Sequence, residues 1–396
     1  MGKLNIFEIT LNNPQGVYNP GQILEGCVVV DLNKEMTMRA IRLHLYGGAD
    51  VRWTENHTSG TGKNRKTVTK IYSATETYIN YVFVLFGKEP HIEGDNHSLP
   101  AGRYTYPFQY QLPVGIPSSF EGTVGRVRYW LSGTIDKPWK FDHTTKKAFT
   151  VINPLDLNTE PGSMDGIRGE GQKTLCCLCC KSGPISCTFQ IDRCGYVPGE
   201  TIPIKGEIIN HSNRRMKRSY AQLYMVRYYH ATRKSRSDVQ KIAEISRGEI
   251  LPGDTDIWDG DPLLIPPVPP SKLPGCRIIA LEYFIKLCVE PAGPGFQLEI
   301  PLRVIIGSIP LRYTLEQYGF APVTQDTHQS QLYHDSRPSS TSPLPSMPPS
   351  YAESVFGPVN IKDEDDDEHT KGNMNFTPVY TFYSWGERAQ PSAPPS

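Results

Sequence analysis

Tyr18-Asn19-Pro20-Gly21-Gln22, leading into a strand-like run that holds Gly26, recurs as Tyr196-Val197-Pro198-Gly199-Glu200, leading into a run that holds Gly206. Tyrosine, proline and glycine are each displaced by 178 positions. The correspondence extends outward in the same order. Ala40-Ile-Arg-Leu-His-Leu-Tyr46 is answered by Ala221-Gln-Leu-Tyr-Met-Val-Arg-Tyr228, and Leu99-Pro-Ala-Gly102 by Leu251-Pro-Gly-Asp254. Leu112-Pro113 through Ile116-Pro117-Ser118 is answered by Leu264-Ile-Pro266 through Pro269-Pro-Ser271, and Arg128-Tyr-Trp-Leu131 by Glu282-Tyr-Phe-Ile285. So long a period exceeds any solenoid unit, so the chain holds a duplicated domain and each copy is complete in itself. The two Pro-Gly pairs read as type II or related turns, in which glycine takes φ > 0 without steric cost.

The local pattern is β on both sides of these turns. Leu4-Asn-Ile-Phe-Glu-Ile-Thr-Leu11, Ile23-Leu-Glu-Gly-Cys-Val-Val-Val30 and Ile41-Arg-Leu-His-Leu-Tyr46 alternate or run apolar over strand lengths between Gly, Pro and Asn clusters. No stretch keeps a 3.6-residue stripe. Each copy therefore reads as an antiparallel sandwich of roughly seven strands. The segment from Thr54 to Lys70, rich in Gly, Thr, Asn and Lys, reads as a long exposed hairpin loop. The fold class is all-β: two immunoglobulin-like sandwiches in tandem. The expected boundaries are residues 1–154 for the first, 155–181 for a Cys-rich linker, 182–308 for the second and 309–396 for a disordered Pro/Ser-rich acidic tail.

Composition supports that division. Of 396 residues, Lys+Arg and Asp+Glu each total 41, but residues 309–396 hold 5 Lys/Arg against 11 Asp/Glu, so an acidic tail follows a mildly basic body. The tail is dominated by Pro, Ser, Gln and Thr, and Asp363 to Glu368 are six consecutive carboxylates. Such a composition buries too little apolar surface to offset chain ordering. The amino terminus lacks the apolar run of a signal peptide, and Ile6 stands where a myristoylation pattern needs Ser or Thr. Nine cysteines, six of them clustered between 176 and 194, do not form the spaced framework of a secreted domain and read as reduced thiols. A cytoplasmic protein is expected.

Pro348-Pro349-Ser350-Tyr351 is the sharpest motif. Paired prolines pre-set the extended polyproline II backbone that lies on the aromatic groove of a WW domain, and the tyrosine fills a neighbouring pocket. Thr377-Pro378-Val379-Tyr380 is a degenerate second candidate that lacks its leading proline.

Together, the paired Tyr-x-Pro-Gly turns, the Cys-Cys-x-Cys stretch before Ser182-Gly-Pro-Ile-Ser186 and the Pro-Pro-x-Tyr of the tail resemble the arrestin domain-containing proteins, the α-arrestin family related to thioredoxin-interacting protein. The resemblance spans almost the whole chain. It implies two arrestin-type sandwiches and work as a scaffold that joins membrane receptor or transporter cargo to WW-domain HECT-type ubiquitin ligases, for endocytosis and endosomal sorting at the plasma membrane and endosomes. Family members usually carry two Pro-Pro-x-Tyr motifs; here only the first is intact.

Other features admit more than one reading. Cys176, Cys177, Cys179 and Cys180 read as a packed interdomain segment, as reversible S-acylation sites or, with Cys187 and Cys194, as zinc ligands. Arg214, Arg215, Lys217 and Arg218 lie at one end of a strand candidate, and Arg233, Lys234 and Arg236 at the end of its neighbour. Meeting at one end of the sandwich, the two runs would form an anionic-lipid patch over which the acidic tail competes; apart, they are a solvated rim. Asp254, Asp256, Asp259 and Asp261 lack the twelfth-position glutamate of a calcium loop and read as a polar connection. Phosphate loops, nucleophile elbows, zinc-protease helices and nucleic-acid modules are absent from the sequence, so no catalytic residue, cofactor, resident metal or nucleic-acid partner is expected. Two alternatives to the adaptor remain: a redox-regulatory thioredoxin binder using Cys194 or Cys276, and a ligase-independent arrestin-fold trafficking subunit.

Overall fold

The computed structural model describes residues 3–59, 66–89, 96–138, 141–174, 183–293, 295–318, 350–362, 366, 370–372 and 374–385. The first sandwich contains β1 (Leu4–Leu11), β2 (Val17–Tyr18), β3 (Ile23–Leu32), β4 (Met36–Met38), β5 (Ala40–Ser59), β6 (Lys66–Gly87), β7 (His97–Leu99), β8 (Gly102–Gln111), β9 (Phe120–Glu121), β10 (Gly125–Asp136) and β11 (His143–Val151). One sheet runs β1-β3-β8 and the facing sheet β2-β11-β10-β5-β6. The second sandwich contains β12 (Ile167–Thr174), β13 (Pro184–Ile191), β14 (Gly195–Tyr196), β15 (Thr201–Asn210), β16 (Met216–His230), β17 (Ser235–Ser246), β18 (Thr255–Leu264), β19 (Ile279–Pro291) and β20 (Leu298–Ile306). Its sheets run β12-β13-β15-β18 and β14-β20-β19-β16-β17.

The internal repeat holds down to single hydrogen bonds. Tyr18 and Tyr196 lie on the short strands β2 and β14, which pair parallel to the ends of β11 and β20. Each is followed by a Pro-Gly turn closed by a bond to the carbonyl three residues back, Gln22 N to Asn19 O at 3.1 Å and Glu200 N to Val197 O at 3.1 Å. Gly21 and Gly199 sit at φ 81° and 96°, the left-handed conformation that a type II turn demands at its third residue. The buried Tyr129 hydroxyl donates to the Pro117 carbonyl at 2.7 Å, and the buried Tyr283 hydroxyl to the Pro269 carbonyl at 2.6 Å. Each pair ties a central strand to the proline-rich crossing above it.

A single apolar core runs from Ile9 in the first sandwich to Ile306 in the second. The domains meet where Tyr229, fully buried, packs on Gly122 and Gly125; a Cβ on Gly125 would stand 2.8 Å from its ring. Around that contact Lys234 pairs with Glu55 at 2.5 Å, Arg277 with Glu76 at 2.7 Å, and Thr232 Oγ1 donates to the Ser73 carbonyl at 3.0 Å.

Two expectations change. Most of Thr54–Lys70 is strand rather than loop, because β5 and β6 stay in register to Ser59 opposite Lys66, with Trp53 stacked on Tyr72 at 5.5 Å; cross-strand pairs outweigh the polar composition. The linker supplies β12, which pairs with β13 from Ile167 opposite Ile191 to Thr174 opposite Pro184, so the second sandwich starts before residue 182. Its inward positions include Gly169 and Gly171, which pack on Ile300, so the strand lacks the apolar alternation that marks the others. In the tail, after α1 (Arg312–Gln317), the described residues form β21 (Ser350–Glu353), β22 (Val359–Asn360), β23 (Thr370–Gly372), β24 (Asn375–Phe376) and β25 (Val379–Phe382). Of these, β23 pairs with β11 of the body, and the run from β25 to Tyr383 is anchored by the hydroxyls of Tyr380 and Tyr383.

Candidate functional site

Pro348 and Pro349 lie outside the described residues. The rest of the motif enters β21, which pairs antiparallel with β25: Ser350 faces Phe382, Tyr351 faces Thr381, and Ala352 faces Tyr380. The strand bearing the intact motif is thus laddered to the strand bearing the degenerate one. The Tyr351 ring is half-buried, and burial pushes its hydroxyl above the usual phenol range.

Tyr380 of the degenerate motif is packed into the body rather than presented at the surface as a second ligand. Tyr380 is 2% exposed, its hydroxyl donates to the Ser119 carbonyl at 3.1 Å, and burial drives its pKa far up. A ring whose area and hydroxyl are both already satisfied inside the protein is an anchor. Three residues on, the Tyr383 hydroxyl donates to the Ser308 carbonyl at 2.8 Å, and its backbone N–H donates to Pro198 O, in the turn where the duplication is most legible, at 3.0 Å. Trp385 stacks on Tyr383 at 5.3 Å and lies against Tyr318 at 4.6 Å. Tyr383 joins Leu155, Leu157, Val197, Ile305 and Leu311 in a second apolar cluster at the domain junction. The signal for these anchors was present in Val379-Tyr-Thr-Phe-Tyr-Ser-Trp385, an aromatic-rich run of strand length inside a polar tail.

Asp366, the described residue of the tail's acidic run, is held by the first sandwich. There an open groove of about 1190 Å³ is lined by His44, Tyr46, Arg128, Trp130, Lys146 and Asp366, among others. β23 adds in parallel to β11, Thr370–Gly372 alongside Thr144–Lys146. Lys146 pairs with Asp366 at 2.8 Å, both side chains under 10% exposed, while its ammonium lies 4.6 Å from the Trp130 ring centre and also reaches the Ile361 carbonyl at 3.4 Å. Arg128, clamped to Glu121 at 2.5 and 3.0 Å, donates to the Asn360 carbonyl at 3.3 Å. Ile361, next to Asn360, is 1% exposed. These cations come from strands, one per sheet position, and carried no run-like signature in the sequence.

The two basic runs of the second sandwich do not meet. Arg214 to Arg218 lie at the start of β16, and Arg233 to Arg236 at the turn into β17, so the length of β16 separates them, roughly 45 Å at strand rise. The first run is also neutralised locally. Arg215 pairs with Glu249 at 3.1 Å, Lys217 with Glu290 at 2.9 Å, Arg218 with Glu290 at 2.7 Å and Glu244 at 3.1 Å, while Arg214 donates to the Ala292 carbonyl at 2.6 Å. In the second run Lys234 is spent on Glu55 across the interface, whereas Arg233 and Arg236 are exposed. Of the two readings, the runs therefore take the separate one, at opposite ends of β16, and Asp366, the described residue of the acidic run, pairs with Lys146 of the first sandwich.

Cys176, Cys177, Cys179 and Cys180 lie outside the described residues. Of the described thiols, burial pushes Cys187 and Cys288 up to about 12 and raises Cys194 and Cys276 as well. Asp256 and Asp261 grip Arg247 at 2.9 and 2.5 Å, which explains the acidic run as an ion-pair network. Among the described residues there is no group of His, Cys, Asp or Glu arranged to hold a metal, and no helix long and apolar enough to cross a membrane.

Two duplicated sandwiches joined through one core, with paired Tyr-x-Pro-Gly turns, define an arrestin fold. Residues 7–158 match the model of the arrestin (or S-antigen) N-terminal domain, and residues 181–311 that of the C-terminal domain. The chain is 29% identical over 445 residues to arrestin domain-containing protein 17 of Caenorhabditis elegans, covering 97% of this chain and 100% of that one. It is 31% identical over 298 residues to arrestin domain-containing protein 4 of Homo sapiens, covering 75% and 69%. It is 29% identical over 311 residues to thioredoxin-interacting protein of Sus scrofa, covering 77% and 75%. The chain belongs to the α-arrestin family of arrestin domain-containing proteins.

Proposed function

We propose that this α-arrestin is an adaptor: its sandwiches engage membrane receptor or transporter cargo, and Pro348-Pro349-Ser350-Tyr351 recruits a WW-domain HECT-type ubiquitin ligase to it. The observation that carries this reading is an intact Pro-Pro-x-Tyr on a tail tethered to a two-domain binding body. Proline pre-organisation lowers the ordering cost of docking, and the tyrosine supplies the specific contact. Endocytosis and endosomal sorting follow as the outcome. Residence in the cytoplasm, with peripheral association at plasma membrane and endosomes, follows from cargo, since the separated, ion-paired basic runs make a poor lipid anchor.

Burial-raised thiols run against the thioredoxin alternative, because the thiolate is the attacking species in disulfide exchange. The test is binding of an isolated WW domain to a peptide spanning residues 340–358. Wild type is expected to bind, and Tyr351→Ala to abolish most of that binding. Equal binding by the two peptides refutes the assignment of Tyr351.

A further inference from the structure

Resting on the adaptor reading, the geometry points to a motif that the chain masks itself: Tyr351 is free for a WW domain only when β21 leaves β25, and the seats of Tyr380 and Tyr383 on the body control that release. The argument begins with what a WW groove requires. It grips side chains of an extended segment from outside and encloses the tyrosine ring. Here the Tyr351 backbone is laddered to Thr381 and its ring is half-buried, so one segment cannot satisfy both partners at once.

The masking strand is itself fixed. β25 carries Tyr380, bonded to Ser119 in the first sandwich, and leads to Tyr383, bonded to Ser308 and to the Pro198 carbonyl at the junction. The strand pair is also held at the end where the chain leaves β21, where Ser354 N donates to Pro378 O at 2.9 Å and Val355 N to Pro267 O at 3.1 Å. The degenerate motif therefore serves as an internal partner for the intact one. Both domains hold it, so a ligand that shifts either the Ser119 or the Ser308 seat biases the same two-state element, and by reciprocity WW binding loosens the tail.

When only a fraction of molecules expose the motif, the apparent dissociation constant rises by the inverse of that fraction. A titration of an isolated WW domain tests this with four partners: the 340–358 peptide, the full chain, full-chain Phe382→Pro, which removes the N–H that β25 presents to β21 opposite Ser350, and full-chain Tyr383→Ala, which empties the junction seat. All four retain Pro348 to Tyr351. The expected result is binding by the full chain at least about tenfold weaker than by the peptide, with both variants returning toward peptide affinity. Amide exchange at Tyr351 to Glu353 should be protected in the full chain and lose that protection in the variants, a readout independent of the WW domain. Full-chain affinity equal to that of the peptide overturns masking and leaves the adaptor reading standing. Failure of the peptide to bind overturns the adaptor reading, and the proposal with it.

Discussion

Alanine at Gly199 separates two demands that meet on one glycine. Gly21 and Gly199 occupy equivalent turns at φ 81° and 96°, so a side chain at either is strained, by about 1–3 kcal/mol. Their surroundings differ. A Cβ on Gly21 meets only a methyl of Val114 at 3.2 Å, a side-chain end that yields. A Cβ on Gly199 would overlap the Tyr383 carbonyl oxygen and stand 2.9 Å from the Tyr383 nitrogen, so the tail backbone must leave. Its departure breaks the Tyr383 N–H bond to Pro198 and withdraws the ring from its seat beside Leu157 and Leu311. Both variants should therefore lower the melting temperature, by about 2–4 °C per kcal/mol for domains of this size. Only Gly199→Ala should expose Tyr380 to Trp385 to amide exchange and to chymotrypsin. Equal protection of that segment in the two variants refutes the assignment of the Gly199 turn as a tail seat, and an unchanged melting temperature in both refutes the strain argument.

Lys146→Ala should release Asp366 and β23 from the first sandwich, since Asp366 loses its buried partner and returns to water; about 1–3 kcal/mol of docking is at stake, read as faster proteolysis between residues 360 and 372. Tyr129→Phe and Tyr283→Phe should each destabilise the protein by a similar amount, about 1–2 kcal/mol in urea unfolding, because each strands a buried proline carbonyl at the same place in its own copy. The thiols of Cys187 and Cys288 have folded pKa values raised to about 12, so the folded state favours the protonated form. Their contribution to stability is full below the unfolded thiol value, about 8.5, and is lost as pH rises from there toward about 12, so these two thiols should resist alkylation at pH 8 until the protein unfolds.

The duplication, the all-β class and the turn glycines were legible in the sequence because each rests on local rules: alternation for strands, Pro-Gly for a turn with φ > 0, and a fixed displacement for a repeat. The Pro348 to Tyr351 motif is read from the sequence alone, as a contiguous segment whose paired prolines favour an extended backbone. Where the tail lies is a different kind of question. Tyr380 and Tyr383 are buried only because Ser119 and Ser308, 189 positions apart in sequence, bring carbonyls to the junction with room for a ring beneath them. The separation of the basic runs has the same origin. Both ends of β16 carry cations, and only the hairpin register, which sets His230 opposite Ser235 and Tyr220 opposite Ser246, shows that one run lies at the turn and the other at the far end. Burial of Lys146 against Asp366 was likewise invisible, since one lysine in a strand and one aspartate in a block of six become a pair only when β23 lies along β11. Sequence carries the propensities of a segment; which surface satisfies its polar atoms is decided when distant strands close around it.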